Sequence, residues 1–146
     1  MRIGLEGGFS IVMLATLICS PVSRLEVQNE RFGPQVKAFL ELMRQEETEL
    51  EFQIHNAEIP RKQYLRAKNR IAVLRETVLK LADDSGKDRV PELSAVVGSE
   101  LDQILDNGLK DLRGVKVGAI IDGRWRYLGT VRHGEQFYVF ERLARR

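Results

Sequence analysis

Two histidines are the residues of this chain best suited to accept a proton or bind a metal at neutral pH. His55 and His133 lie in different segments, and neither has a histidine or cysteine at the three- or four-residue spacing typical of metal sites. His133 precedes Glu135 in an expected turn, where it could act as a base only if the fold aimed it at a substrate. The pattern therefore predicts no metal site and no catalytic base.

One segment contains two residues of the sequence pattern of a phosphate-binding loop. The stretch DSGKD at residues 84–88 has a Gly-Lys pair, but the earlier glycine and the following Ser or Thr of such a loop are missing. The glycine and histidine patterns of hydrolases, metalloproteases and dinucleotide-binding enzymes are also missing from the sequence. We therefore predict a non-catalytic protein without a cofactor.

The last segment, residues 124–146, alternates arginines with aromatic side chains. Aromatic rings beside guanidinium groups on a small sheet can stack on bases and hold phosphates. The same residue types also suit strands, in which one face must pack against helices. An anionic ligand or nucleic acid is therefore the alternative, less favoured partner, with a candidate site at Arg124, Trp125, Arg126, Tyr127 and Arg132.

Overall charge points to no particular partner. The 146 residues include 23 basic and 21 acidic side chains, which gives a net charge of +2. That balance excludes a global field that would recruit nucleic acid or an anionic membrane. With 43% hydrophobic residues, the chain can form one domain with a modest core. Electrostatic recognition must therefore come from local clusters of charge.

Two such clusters are adjacent in the sequence. Residues 46–58 contain five acidic side chains and no Lys or Arg, whereas residues 61–75 contain six basic side chains and no acid. If both segments are helical, each cluster lies at the end of its helix where the helix dipole disfavours it. Side-by-side packing of the two helices would cancel this effect, so each cluster is the simplest partner of the other.

Apolar spacing predicts that both segments are helices. The first helix begins after Gly33, and its stripe comprises Val36, Leu40, Met43, Leu50 and Ile54, with Glu47 in the remaining position. Pro60 opens the second helix, and its stripe comprises Tyr64, Ala67, Ile71, Leu74, Val78 and Leu81. Neither stripe is stable in water alone, so residues 34–82 are expected to form a long antiparallel hairpin. In the expected register Glu47 faces Ala67 and bends toward Lys68.

The stretch EIPRKQYLRAKNRI, residues 58–71, resembles the short helical-hairpin module called SHOCT. Ile59 matches the aliphatic residue of its turn and Tyr64 its aromatic residue, while Lys68 and Ile71 match positions of its second helix. Ala57 stands where the module usually has a glycine. The resemblance implies association with a protein partner or an accessory scaffolding role.

The remainder of the chain predicts a small α+β region over residues 92–146, joined to the hairpin by a polar linker at residues 83–91. Residues 92–97 could form a short strand, and a capping box at residues 99–102 is expected to open a short helix ending near residues 107–108. Three β-prone runs follow, at residues 115–121, 125–132 and 136–142. The expected fold is therefore α+β, with a helical hairpin, a short helix and a three-stranded antiparallel meander.

The N-terminus predicts export. The apolar run from Phe9 to Val22 has the length of a secretory signal, so residues 1–22 are interpreted as a signal peptide and residues 23–33 as a linker. Large residues near the expected cleavage site leave an uncleaved membrane anchor as an alternative, and a buried segment of a cytosolic protein as another. Cys19 is the only cysteine, which rules out a disulfide within one chain.

Together these features favour an exported envelope protein, periplasmic or extracellular, that binds a protein partner or a second copy of itself through the hairpin. Contact with a membrane is expected only through an uncleaved N-terminal segment. Four stripe residues are the candidate contacts, Tyr64, Ile71, Leu74 and Val78. Three cations beside them would select the partner by charge, Arg66, Lys68 and Arg70.

Overall fold

The computed structural model describes residues 31–106 and 112–144. Its helices are α1 (Pro34–His55), α2 (Arg61–Ser85) and the short α3 (Leu101–Ile104), which follows one turn of 3-10 helix at Gly98–Glu100. Its strands are β1 (Leu93–Val97), β2 (Ile120–Ile121), β3 (Trp125–His133) and β4 (Glu135–Arg142). This arrangement confirms the α+β class.

The two long helices lie antiparallel, in the order that their apolar stripes predict. Val36 at the start of α1 shares a buried cluster with Val78 and Ala82 near the end of α2. Midway along the pair, the carboxylate of Glu47 lies 3.6 Å from Lys68 Nζ and 3.3 Å from Arg75 Nη2. Glu47 therefore does bend toward Lys68. We call these two helices the α1–α2 pair.

The connection between the helices contains an unusual backbone conformation. Ala57 has φ of 55°, in the left-handed region that favours glycine. The Ala57 N–H donates to the carbonyl of Ile54, and the Glu58 N–H donates to that of Gln53. These bonds satisfy carbonyls at the end of α1 and hold the turn that leads to Pro60.

The helical region is longer than expected, because α2 extends beyond residue 82 to Ser85. Gly86 ends the helix with φ of 62°, and its N–H donates to the carbonyl of Ala82. Residues 83–85 of the expected linker are therefore helical. The linker proper is shorter and leads directly into β1.

The prediction of a three-stranded sheet was wrong, because the sheet has four antiparallel strands in the order β1-β4-β3-β2. β1, which precedes α3 in the chain, pairs with the last strand from Leu93↔Glu141 to Val97↔Phe137. The expected strand at residues 115–121 is reduced to Ile120–Ile121, because Gly118 has φ of 90° and the Ala119 N–H closes a turn on the Lys116 carbonyl.

The short helix also differs from the prediction. It ends at Ile104 rather than near residue 107, and residues 107–111 lie outside the described part of the chain. The expected capping box of residues 99–102 is replaced by another contact, because the Glu100 carboxylate accepts a hydrogen bond from the Val97 N–H at 3.2 Å. Glu100 therefore links the end of β1 to the start of α3.

Both faces of the sheet are covered by apolar side chains. On one face Val73 of α2 packs with side chains from β1 and β4, namely Ala95, Val97, Phe137 and Val139. On the other face the residues around α3 pack with those of the strands, in a cluster of Val96, Leu101, Leu105, Leu112, Ile121, Tyr127 and Phe140. The sheet is thus the middle layer, and α2 contacts both α1 and the sheet.

The expected signal or anchor at residues 1–22 lies outside the described residues, as do residues 23–30 of the expected linker. Within residues 31–106 and 112–144, none of the helices combines the length and the apolar character that crossing a bilayer requires.

Candidate interaction surface

The basic cluster of α2 is tied to the sheet by ion pairs. Arg66 donates two hydrogen bonds of 2.8 Å to the carboxylate of Glu135 at the start of β4. Arg70 Nη2 pairs with Glu100, whose other carboxylate oxygen lies 3.8 Å from Arg66 Nη1. Two of the three cations predicted to select a partner therefore fix α2 against β4 and the turn after β1.

These contacts change the proton affinity of the paired groups. The pKa of Glu135 is lowered mainly because the Arg66 guanidinium donates hydrogen bonds to its carboxylate, which favours the charged form. The same bonds raise the pKa of Arg66. Each group therefore stabilises the charged form of the other.

The third predicted cation, Lys68, faces α1. Its ammonium lies 3.3 Å from the Tyr64 hydroxyl, 3.3 Å from Glu51 and 3.6 Å from Glu47. The pKa of Lys68 is raised, first by the hydrogen bond with Tyr64 and then by that with Glu51. Lys68 therefore connects the two helices, as the adjacent clusters of opposite charge predict.

The four predicted contact residues of the stripe are directed largely inward. Ile71 and Val78 are buried, and Leu74 packs beside the cluster between α2 and the sheet. Tyr64 is half-buried. In the folded chain these side chains build the α1–α2 pair and its contact with the sheet.

Sequence reasoning missed that α2 has a second apolar face. Val73 is fully buried against the sheet, although it lies beside the predicted stripe rather than in it. The half-buried Ala72 and Leu74 on either side of it show that apolar residues extend around much of the helix. A helix whose apolar residues extend over so wide an angle packs against two neighbouring elements, which for α2 are α1 and the sheet.

The α1–α2 pair carries three large exposed apolar residues. Leu42 and Phe52 on α1 have 49% and 58% of their surface exposed, and Leu65 on α2 has 45%. None of the three belongs to the predicted stripes. The only sequence signal for them is their position outside those stripes, where a soluble helix normally carries polar residues.

A shallow groove lies next to Leu65, where the helices meet the β3–β4 turn. It has a volume of about 450 Å³, and its lining includes Tyr64, Ile71 and Ala72. Charged groups at Glu47, Lys68 and Arg75 border it, but they are paired with one another. The groove is therefore an open, mixed surface rather than an enclosed ligand cavity.

The alternative site near the C-terminus is divided between the two faces and one edge of the sheet. The Trp125 indole N–H donates to the Ile104 carbonyl at 3.0 Å, and Tyr127 is buried with the α3 cluster. Successive strand residues point to opposite faces, so Arg126 is directed away from both rings, and it pairs with Glu141 at 3.0 Å.

The remaining members of this alternative site are also separated. Arg124 pairs with Asp106, whereas Arg132 is exposed near the far end of β3. Arg142 lies over the Trp125 ring, 5.8 Å from its centroid. The five predicted residues therefore do not form one continuous surface of rings and cations.

Both histidines are exposed, His55 at the end of α1 and His133 at the end of β3. In the described part of the chain, no three His, Cys, Asp or Glu residues are grouped so that they could hold a metal ion.

The chain matches no protein family, no curated protein and no solved structure to which it was compared. The resemblance of residues 58–71 to the SHOCT module stays a prediction. The candidate contacts of the α1–α2 pair are therefore its exposed apolar residues, Leu42 and Phe52 on α1 and Leu65 on α2, with the charges around them.

Proposed function

We propose that this is an exported, non-catalytic interaction protein that binds a protein partner, or a second copy of itself, through the α1–α2 pair. The observation that carries the proposal is the exposure of Leu42, Phe52 and Leu65 on helices that are otherwise strongly charged. Exposed apolar residues with a polar rim are typical of protein-binding surfaces.

In this proposal the predicted stripe and cation residues act indirectly. Ile71, Val78 and Leu74 hold the two helices and the sheet together, while Arg66 and Arg70 fix the orientation of α2. A rigid support lowers the entropy that a surface loses on binding. The partner then contacts the outward residues rather than the seam between the helices.

The proposed export depends on the N-terminal apolar run, Phe9 to Val22. The test is the mass of the N-terminus after expression in a secreting host. A mature start near residues 20–24 supports release from the membrane. A retained Met1 in a membrane fraction supports the anchor, and a retained Met1 in the cytosol contradicts export.

Site-specific photocrosslinking in the native host tests the proposed surface. A photoreactive amino acid replaces Leu42, Phe52 or Leu65 in turn, one position in each variant. Val117 and Ile120 are matched controls, because they are apolar and 70% and 59% exposed but lie outside the helices, Ile120 in β2 and Val117 before it. We expect adducts of defined mass from the helical positions only. Equal adducts from the controls, or none from the helices, would contradict the proposal.

A further inference from the structure

The outer face of α1 carries a second, narrower stripe. Its members follow one another at spacings of four, three, four and three residues, the repeat of a helix–helix seam: Ala38, Leu42, Gln45, Glu49 and Phe52. At 3.6 residues per turn, this stripe lies opposite the buried Val36 and Met43, which face into the protein. All five members are exposed, so no described segment of the same chain covers them.

The stripe is complementary to a second copy of itself that runs in the opposite direction. If a second α1 lies antiparallel with position 47 at the centre, Leu42 of each copy faces Phe52 of the other. Gln45 of each copy then faces Glu49 of the other, and its amide can donate to that carboxylate. Parallel packing would instead bring the two Glu49 side chains together, so their repulsion selects the antiparallel orientation.

Charge along α1 favours the same orientation. Residues 34–44 carry Lys37, Glu41 and Arg44, for a net charge of +1. Residues 45–55 carry four glutamates, of which Glu47 and Glu51 are paired with cations of α2. The other two, Glu46 and Glu49, have no ion pair among the described residues. Antiparallel packing places this acidic half of each helix beside the less acidic half of its partner.

From these observations we propose that a second copy of the chain docks antiparallel on the outer face of α1, making a two-fold symmetric dimer in which four helices lie side by side. The inference rests on the proposed function and identifies its partner. A two-fold contact uses the same patch on both copies, which is what the reversed stripe provides.

The size of the contact predicts a weak dimer. α1 has 22 residues and is about 33 Å long at about 1.5 Å per residue. At a helix width of about 10–12 Å, one face of that length covers about 300–400 Å², which is less than the roughly 800 Å² per partner that stable complexes bury. The two symmetry-related pairs of Gln45 and Glu49 at its centre also lower the stability while fixing the register. We therefore expect a dissociation constant in the micromolar range.

Sedimentation equilibrium of the chain purified from a secreting host tests the dimer. At concentrations of about 1 to 200 µM the wild type should pass from monomer to twice the monomer mass. The variant L42E/F52E should remain monomeric with an unchanged circular dichroism spectrum, because both side chains are exposed. V117E/I120E is the matched control and should dimerise normally. A monomeric wild type, or dimerisation that survives L42E/F52E, would overturn the proposal.

Disulfide trapping tests the orientation, with Cys19 replaced by Ser in every chain. An oxidised mixture of Q45C and E49C chains should give mainly the mixed disulfide, because these two positions face each other in the antiparallel register. Predominant homodisulfides would show parallel packing and overturn the proposal.

The photocrosslinks at positions 42 and 52 distinguish a failure of the dimer proposal from a failure of the proposed function. If positions 42 and 52 form adducts with another protein while the chain stays monomeric, the second copy is the wrong partner but the proposed function stands. If those positions form no adduct and the chain is monomeric, both fail.

Discussion

The carboxylate of Asp88 occupies the space that any side chain at Gly33 would need. A Cβ added to Gly33 would lie 2.5 Å from Asp88 Oδ2, far inside van der Waals contact. From this position Asp88 accepts hydrogen bonds of 2.9 Å from the backbone N–H groups of Gln35 and Val36. Asp88, which follows Val36 by 52 positions in the chain, therefore caps the start of α1.

We expect Gly33→Ala to destabilise the protein by about 1–3 kcal/mol, because the added methyl group must displace the Asp88 carboxylate from its hydrogen bonds. The measurement is urea unfolding followed by circular dichroism. Gly98→Ala is the control, since a Cβ there meets only Tyr138 Cε2, at an ordinary 3.9 Å. Equal destabilisation by both substitutions would contradict the prediction.

Asp88→Ala should cost about 1 kcal/mol through loss of the cap, and Asp88→Asn less, because an amide oxygen can still accept one of the hydrogen bonds. In the double variant G33A/D88A, the two losses should not add, since removing the carboxylate also removes the clash. A double-mutant cycle measures this coupling. Strictly additive losses would show that the two residues do not compete for the same space.

Glu135 should make stability depend on pH in the acid range. Its folded-state pKa is lowered, first by the hydrogen bond from Arg66, so the folded protein binds the proton more weakly than the unfolded chain. The resulting stabilisation is fully present above the unfolded pKa of about 4.3 and is lost as the pH falls through the lower, folded value.

Glu135→Gln should therefore lower the free energy of unfolding by about 1 kcal/mol or less at pH 7, because the pair is partly exposed to solvent. The difference from the wild type should shrink at pH 3. Glu58→Gln is the control, because Glu58 is exposed and has no ion pair within the described residues. Urea unfolding at both pH values measures the effect. A difference that persists unchanged at pH 3 would show that it does not come from the charge of Glu135.

Ala57→Gly should stabilise the protein by about 1 kcal/mol, because glycine adopts the observed φ of 55° without the steric strain of a Cβ. Ala38→Gly, in the exposed interior of α1, should have the opposite effect by a similar amount. Thermal unfolding at low protein concentration compares the two variants. A loss of stability in Ala57→Gly would indicate that the methyl group makes a contact that outweighs the strain.

The fluorescence of Trp125, the only tryptophan, should not change when single-stranded nucleic acid is added at low salt. Its indole N–H is bonded to Ile104, its ring packs against the α3 cluster and Arg142 lies over it, so little ring surface is open to a base. Quenching that disappears on adding salt would revive the alternative site at Arg124, Trp125, Arg126, Tyr127 and Arg132.

By itself, the sequence determined the two long helices, their antiparallel order and the contact between Glu47 and Lys68. These features depend on residues that are close in the chain or linked by a short turn, so their spacing carries the information. The two long strands of the C-terminal hairpin, β3 and β4, were predictable for the same reason.

Only the tertiary structure decided which surfaces are available. The pairing of β1 with β4, the bonds of Arg66 to Glu135 and the capping of α1 by Asp88 join residues forty or more positions apart, and no local pattern encodes such contacts. Because α1 covers one face of α2 and the sheet covers another, the predicted contact residues of that helix are buried or half-buried. The outer face of α1, with Leu42 and Phe52, is left open to water.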